Sequence, residues 1–225
     1  MDYYGFLNEL HHLLLPQAYL EIGVWKGASL ALASCCSVGV DPESIAEGNC
    51  WGAKPWLKLY RLTSDEFFAR HSRNALFEDV PLELSFLDGM HHFECALRDF
   101  INTERWSAPD GCIVVHDVYP LAPDWAEREP RHLTWTGDVW KLVPCLRRYR
   151  PDLRVEIVDA VPSGMMVVRN LDPASTTLSD RLDQIVDEFL NDPRPHGEQF
   201  AEHLATIGAV PVDAWLRETR RLLGF

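Results

Sequence analysis

The sequence contains no apolar run approaching the roughly 20 residues that a membrane-spanning helix requires. Its first residues mix acidic and aromatic side chains, where a secretory leader would begin with lysines and a long apolar stretch. No membrane span or leader is expected, and a cytoplasmic protein is. Basic residues are scarce: 21 Lys and Arg against 34 Asp and Glu leave a net charge of -13, which disfavours broad contact with phosphate backbones or anionic lipid. A small-molecule substrate is expected rather than nucleic acid, although a local basic patch would still allow RNA. Paired cysteine spacing is also lacking, because Cys35, Cys36, Cys50, Cys95, Cys112 and Cys145 match neither a zinc ribbon nor a secreted disulfide scaffold. They read as buried, reduced thiols. Internal repeats and low-complexity segments are absent.

What is present suits one core of ordinary size: 225 residues, 47% of them hydrophobic. Residues 1–171 read as one domain with a short N-terminal helix. Residues 172–225 read as a helical extension, packed on that domain or building a homo-oligomer. Tyr4, Leu7, Leu10, His11 and Leu14 recur at helical spacing before Pro16. Strands are expected at Tyr19–Val24, Ser37–Val40, Leu59–Thr63, Leu82–Leu87 and Cys112–Val115. Helices are expected at Ala28–Cys36, from Ser64 through Phe77, and from His91 to Trp106. The residues from Pro42 to Lys58 form a long excursion that Trp51 and Trp56 would fold back onto the body as a lid. Arg154–Ala160 and Met165–Arg169 are separated by so short a connection that they must run antiparallel. Amphipathic helices are expected at Leu178–Leu190 and Val212–Leu223. The sum is an α/β fold: a Rossmann-like, seven-stranded, mostly parallel sheet with one reversed strand and helices on both faces.

Ligands of such sheets settle at the carboxyl ends of the strands, where strand order reverses. The first strand runs into Glu21-Ile22-Gly23-Val24-Trp25-Lys26-Gly27. Glycines at 23 and 27 let the main chain turn tightly and approach a ligand. Asp41 closes the second strand, where a carboxylate can accept hydrogen bonds from both hydroxyls of a ribose. The spacing departs from the dinucleotide pattern G-x-G-x-x-G, which argues against a nicotinamide cofactor. It resembles the first motif of class I S-adenosylmethionine-dependent methyltransferases. That resemblance implies cofactor contacts at Glu21, Gly23, Gly27 and Asp41, with Thr63, Ser64 and Asp65 near adenine and Asp88 completing the set. Ser64 also suits a helix N-cap.

A second constellation lies on strands four and five, which end in Leu87-Asp88-Gly89-Met90-His91-His92 and Val114-Val115-His116-Asp117. If these strands are neighbours, Asp88 and Asp117 converge. Two carboxylates in one cleft repel unless a cation, a proton or a basic group lies between them. A hard divalent ion fits, magnesium first and manganese second. Asp88-Gly89-x-His91 with His116-Asp117 downstream resembles the metal-assisted small-molecule O-methyltransferases, especially the branch acting on sugars and other natural-product hydroxyls. The resemblance implies metal ligands at Asp88 and Asp117. His91 then stands as base, where catechol-type relatives carry a lysine and sugar-modifying relatives a histidine. His116 departs from the acid usual at its position, and either binds the ion or turns inward to the backbone. His91, with an ordinary pKa of about 6.5, would take a proton from an acceptor hydroxyl near neutral pH. In Gly137-Asp138-Val139-Trp140-Lys141, Trp140 would either stack on a substrate ring or anchor a helix. Trp125 and Trp135 fit a flap. The remaining histidines, His132 and His196 among them, offer no ligand spacing. Two other functions suit the same residues: a metal-dependent oxygenase or hydrolase using Asp88, His91, His116 and Asp117, and a noncatalytic cofactor-binding subunit.

Overall fold

The computed structural model describes residues 1–46, 48–130, 134–192 and 198–224; His132 and His196 lie outside them. Helix α1, Tyr3–Leu14, starts where the Asp2 side chain accepts a hydrogen bond from the Gly5 amide at 2.8 Å and ends at Leu15 in the left-handed region before Pro16. Seven strands follow: β1 Ala18–Ile22, β2 Cys36–Val40, β3 Leu57–Tyr60, β4 Leu82–Leu87, β5 Ser107–His116, β6 Arg154–Val158 and β7 Met165–Arg169. They form one sheet in the order β3-β2-β1-β4-β5-β7-β6. Only β7 is reversed, pairing antiparallel with both β5 and β6.

The central strands are covered on both faces, which is why they read as unbroken apolar runs. On one face β-strand residues such as Leu20, Val38, Leu87 and Val115 meet Phe93, Leu97 and Phe100 of helix α4, Phe93–Trp106. On the other, Tyr19, Leu84 and Val114 meet Phe6, Leu7 and Leu10 of α1. Between the strands lie the short helices α2, Ser64–Arg70, and α3, Arg73–Phe77, and then α5, Leu142–Tyr149. The C-terminal segment contributes α6, Leu182–Asn191, α7, Glu198–Ile207, and α8, Val212–Leu223. Phe189 of α6 packs on Phe93 at 5.2 Å and Trp215 of α8 meets Phe6 edge-on at 5.3 Å, so α6 and α8 spend their apolar faces on opposite sides of the same sheet.

Several expectations need correction. Ala28–Cys36 is not a helix but a single 3-10 turn at Leu30–Leu32. The turn through Trp25 and Gly27 consumes the start of the connection, and at about 1.5 Å per residue the few residues left are too compact as α-helix to return to the foot of the sheet. The helix beginning at Ser64 is broken at His71 and Ser72, both extended, and its N-cap is Thr63, which forms a reciprocal capping box with Glu66. β3 starts two residues before the expected strand. In the 42–58 excursion Trp56 packs on Phe77 at 5.8 Å as expected. Trp51 does not fold back: it is 54% exposed, and the smaller Cys50 beside it is buried instead.

Candidate active site

Gly23 follows β1 and is pinned between its neighbours. Its amide donates to the Val40 carbonyl at 2.9 Å, while the Asp88 amide donates to the Ile22 carbonyl at 2.8 Å. A Cβ on Gly23 would lie 1.9 Å from the Asp88 carbonyl oxygen, and φ is +90°. Both facts demand glycine. Trp25, at φ +43°, points its amide at Asp41, whose Oδ2 accepts it at 2.7 Å while Oδ1 accepts the Glu43 amide at 2.7 Å. Asp41 thereby ties the glycine turn to the loop after β2 and keeps its remaining lone pairs at the cavity.

The cavity above these strand ends measures about 820 Å³. Gly23, Asp41, Ser64, Asp65, Asp88, His91, His116 and Asp117 all line it, as does Thr63. Two of the expected cofactor residues do not. Glu21 is fully buried beneath the turn, where it accepts hydrogen bonds from the Tyr19 and Ser29 hydroxyls at 2.7 Å each. Burial outweighs those bonds and pushes its carboxyl up to about 8. Gly27, at φ +81°, makes room for the 48–51 turn, since a Cβ there would lie 2.8 Å from that of Cys50. Asp65 is held by a two-pronged ion pair with Arg98 of α4, with contacts of 3.0 and 2.9 Å. The apolar lip is Trp25 and Met90, 60% and 54% exposed.

At the far end four side chains meet. Asp88 Oδ1 lies 3.2 Å from His116 Nδ1 and 3.5 Å from His91 Nε2, and Asp117 Oδ2 lies 3.2 Å from His91 Nε2. Asp117 is the first residue past β5 and adopts φ +63°, a conformation that turns its carboxylate back into the cleft. Burial opposes charge on all four, and mutual attraction overrides it at three of them. Burial raises Asp88, but His116 and His91 outweigh it and hold that carboxyl below its usual range. Burial lowers His91, but Asp88 and Asp117 outweigh it and push the imidazole up to about 9. His116 is raised for the same reason. Asp117 is raised, because its own burial is only partly offset by the two imidazoles.

Oxygen and nitrogen atoms of Asp88, His116 and Asp117 lie within 4.8 Å of one another. Ligands about 2.0–2.2 Å from one ion stand about 3 to 4.4 Å apart, so closing this donor set by a few tenths of an ångström would let it hold a divalent cation. The cavity and the bare Gly23 backbone likewise fit an adenosyl cofactor.

Several contacts go beyond what the sequence assigns, since it places Trp135 only in a flap and Gly137 and Asp138 only in the segment around Trp140. Trp135 lines the cavity, lies tilted against His91 at 5.0 Å and accepts its Nδ1–H through the backbone carbonyl at 3.0 Å. The strap continues into Gly137, whose Cβ would lie 1.7 Å from the His91 carbonyl oxygen. Asp138 then accepts the Phe93 amide at 2.7 Å and caps α4. Tyr3 stacks on His116 at 4.3 Å, and Ser163, in the β6–β7 turn, donates a short hydrogen bond to Asp117. The positive φ of a non-glycine residue at 117 has no sequence signature, and Tyr3 and Ser163 arrive by tertiary packing alone. Trp140 is the helix anchor of the two alternatives: it is buried, lies outside the cavity and meets His203 edge-on at 4.4 Å.

Residues 20–118 match the model of a family described as Methyltransferase domain. Solved structures of similar fold include an O-methyltransferase from Bacillus cereus in complex with SAH (TM-score 0.53, 15% identity, covering 73% of this chain and 79% of that one). Another is the O-methyltransferase TomG from Streptomyces achromogenes, involved in tomaymycin synthesis, with SAM (TM-score 0.56, 16% identity, 74% and 78%). A third is the SAH-bound Podospora anserina methyltransferase PaMTH1 (TM-score 0.53, 15% identity, 75% and 78%). Residues 20–118 thus resemble a methyltransferase domain, and the fold of the chain is the α/β fold of these methyltransferase structures.

Proposed function

We propose that the protein transfers a methyl group from S-adenosylmethionine to a hydroxyl of a small molecule, a sugar or other secondary metabolite, with the help of a divalent cation. The observation that carries this reading is the convergence of Asp88, His91, His116 and Asp117 on the cavity that Gly23 and Asp41 also border. Gly23 and Asp41 would hold the methionyl and ribose parts of the cofactor, Ser64 and Asp65 the adenine. The bound cofactor supplies an electrophilic methyl group on a sulfonium. Asp88, Asp117 and His116 would hold magnesium or manganese, which offsets carboxylate charge and makes a nearby hydroxyl more acidic.

His91 does the proton work in this reading. Its Nδ1 is committed to the Trp135 carbonyl, so Nε2 is the nitrogen that faces the reacting space. With both carboxylates uncompensated, that nitrogen keeps its proton well past neutrality. Once their charge is balanced, the imidazole returns toward its ordinary range and Nε2 is free to accept the acceptor's proton. Trp135 keeps the ring oriented. Trp25 and Met90 at the lip offer apolar contact to the acceptor.

Calorimetric titration of the protein with S-adenosylhomocysteine, and separately with Mn²⁺, tests the reading. Saturable binding of both is expected, with Asp117→Asn lost to the metal alone. Binding of the nucleoside with no metal binding at any pH from 6 to 9 would exclude the cation.

A further inference from the structure

Asp99 of α4 is 3% exposed and stands outside the lining of the cavity. Its Oδ2 comes within 3.5 Å of where a Cβ on Gly89 would be, so it lies under the loop that leaves β4. Its Oδ1 has no hydrogen-bond partner among the described residues. A buried carboxyl with a bare oxygen costs stability, and an apolar side chain in its place would not. The bond Asp99 does make is with the hydroxyl of Ser64, the first residue of α2, and Ser64 lines the cavity. The next residue of each helix repeats the arrangement: Arg98 holds Asp65 through Nε at 3.0 Å and a terminal nitrogen at 2.9 Å. Two consecutive residues of α4 thus fix two consecutive cavity residues of α2. A carboxylate accepts and cannot donate, so the Ser64 proton is directed at Asp99 and only lone pairs are left for a ligand.

We propose that Asp99 is a positioning residue that makes Ser64 a pure acceptor, so that this end of the cavity selects a purine with an amino group at position 6 over one with an oxo group there. A 6-amino group donates to the serine oxygen. A 6-oxo group meets it lone pair to lone pair and gives up its water without replacement. Asp65, whose carboxylate offers only lone pairs as well, sharpens the same choice. The selectivity is set by a side chain that never touches the ligand.

The inference rests on reading this end of the cavity as the adenine pocket, and calorimetry on the whole chain separates the two ideas. The probes are S-adenosylhomocysteine and its 6-oxo analogue S-inosylhomocysteine, titrated at pH 8.5. Burial pushes the Asp99 carboxyl up to about 7, so at that pH it is ionised. Wild type should prefer the amino form about 10- to 100-fold. Asp99→Leu frees the serine proton to turn toward the ligand, and the preference should fall about tenfold. Asp99→Asn keeps the shape of the side chain and should shift the preference in the same direction by less. The preference should also fall in Ser64→Ala, and adding Asp99→Leu to that variant should change it no further, because Asp99 acts through the hydroxyl. A merely structural role for Asp99 would weaken both nucleosides together and leave their ratio intact. That result overturns the proposal, as does a wild type that binds the two equally, and either leaves the cofactor reading standing. Wild type that binds neither nucleoside removes the adenine pocket, and the role of Asp99 with it.

Discussion

The glycine-turn half of the cavity is shaped mainly by main chain, the acid half by side chains that five separate segments deliver. At Gly23 and Asp41 the contacts are backbone amides and carbonyls at the ends of adjacent parallel strands. At Asp88, His91, His116 and Asp117 the contacts are charges, kept together by Tyr3, Trp135 and Ser163 from elsewhere in the chain. A backbone-built site tolerates no added atom, whereas a charge-built site tolerates changes of volume but not of proton count. The two halves should therefore fail in different ways when altered.

The sharpest contrast lies at His91. Replacing it with Ala would remove the proposed general base, and turnover should fall about 10²- to 10⁴-fold, with S-adenosylhomocysteine affinity measured by calorimetry unchanged. A matching loss of nucleoside affinity would mean that the halves are one unit. Gly23→Ala attacks their junction, since its Cβ would strike the Asp88 carbonyl. Backbone strain alone costs about 1–3 kcal/mol, and displacement of the Asp88 loop should weaken nucleoside and Mn²⁺ together. A melting curve with both titrations checks this. If metal affinity survives, the junction is looser than the 1.9 Å approach requires.

Asp41→Ala should act on the glycine half alone. Hydrogen bonds to a charged group contribute about 1.5–3 kcal/mol, so nucleoside affinity should drop about 10- to 100-fold while Mn²⁺ binding holds. The smallest effect concerns Glu21, whose carboxyl is pushed from an ordinary 4.5 to about 8 in the folded state. The folded protein then binds the extra proton between those values. This stability is fully present below about 4.5 and is lost as pH rises through 8. Glu21→Gln removes that slope, so its melting temperature should gain on wild type between pH 5 and pH 8. A constant difference would place the proton elsewhere.

How much of this was legible in the sequence follows the same division. Strands covered on both faces announce themselves as apolar runs, and β4 lies where its run predicts, Leu82–Leu87. The final helix, Val212–Leu223, follows from its repeat of apolar positions. The strand-end residues Gly23, Asp41, Asp88, His91, His116 and Asp117 were legible because topology alone carries them to one edge. The segment Ala28–Cys36 misled because small apolar residues suit a helix, and only the length left after the turn forbids one. Glu21 points under the sheet edge because alternation along β1 turns it toward Tyr19 and Ser29, away from the cavity. Tyr3 and Ser163 carry no local signal and Trp135 signals only a flap, since the role of each is defined by what it touches across the fold.

The central claim is that an adenosyl cofactor and a divalent cation share one cavity, at opposite ends of a single row of strand ends. Paramagnetic broadening measures this directly: Mn²⁺ added to the protein with S-adenosylhomocysteine bound should broaden the homocysteine methylene resonances strongly. Asp117→Asn should abolish the effect. Sharp methylene resonances in a complex that holds both ligands would contradict the account.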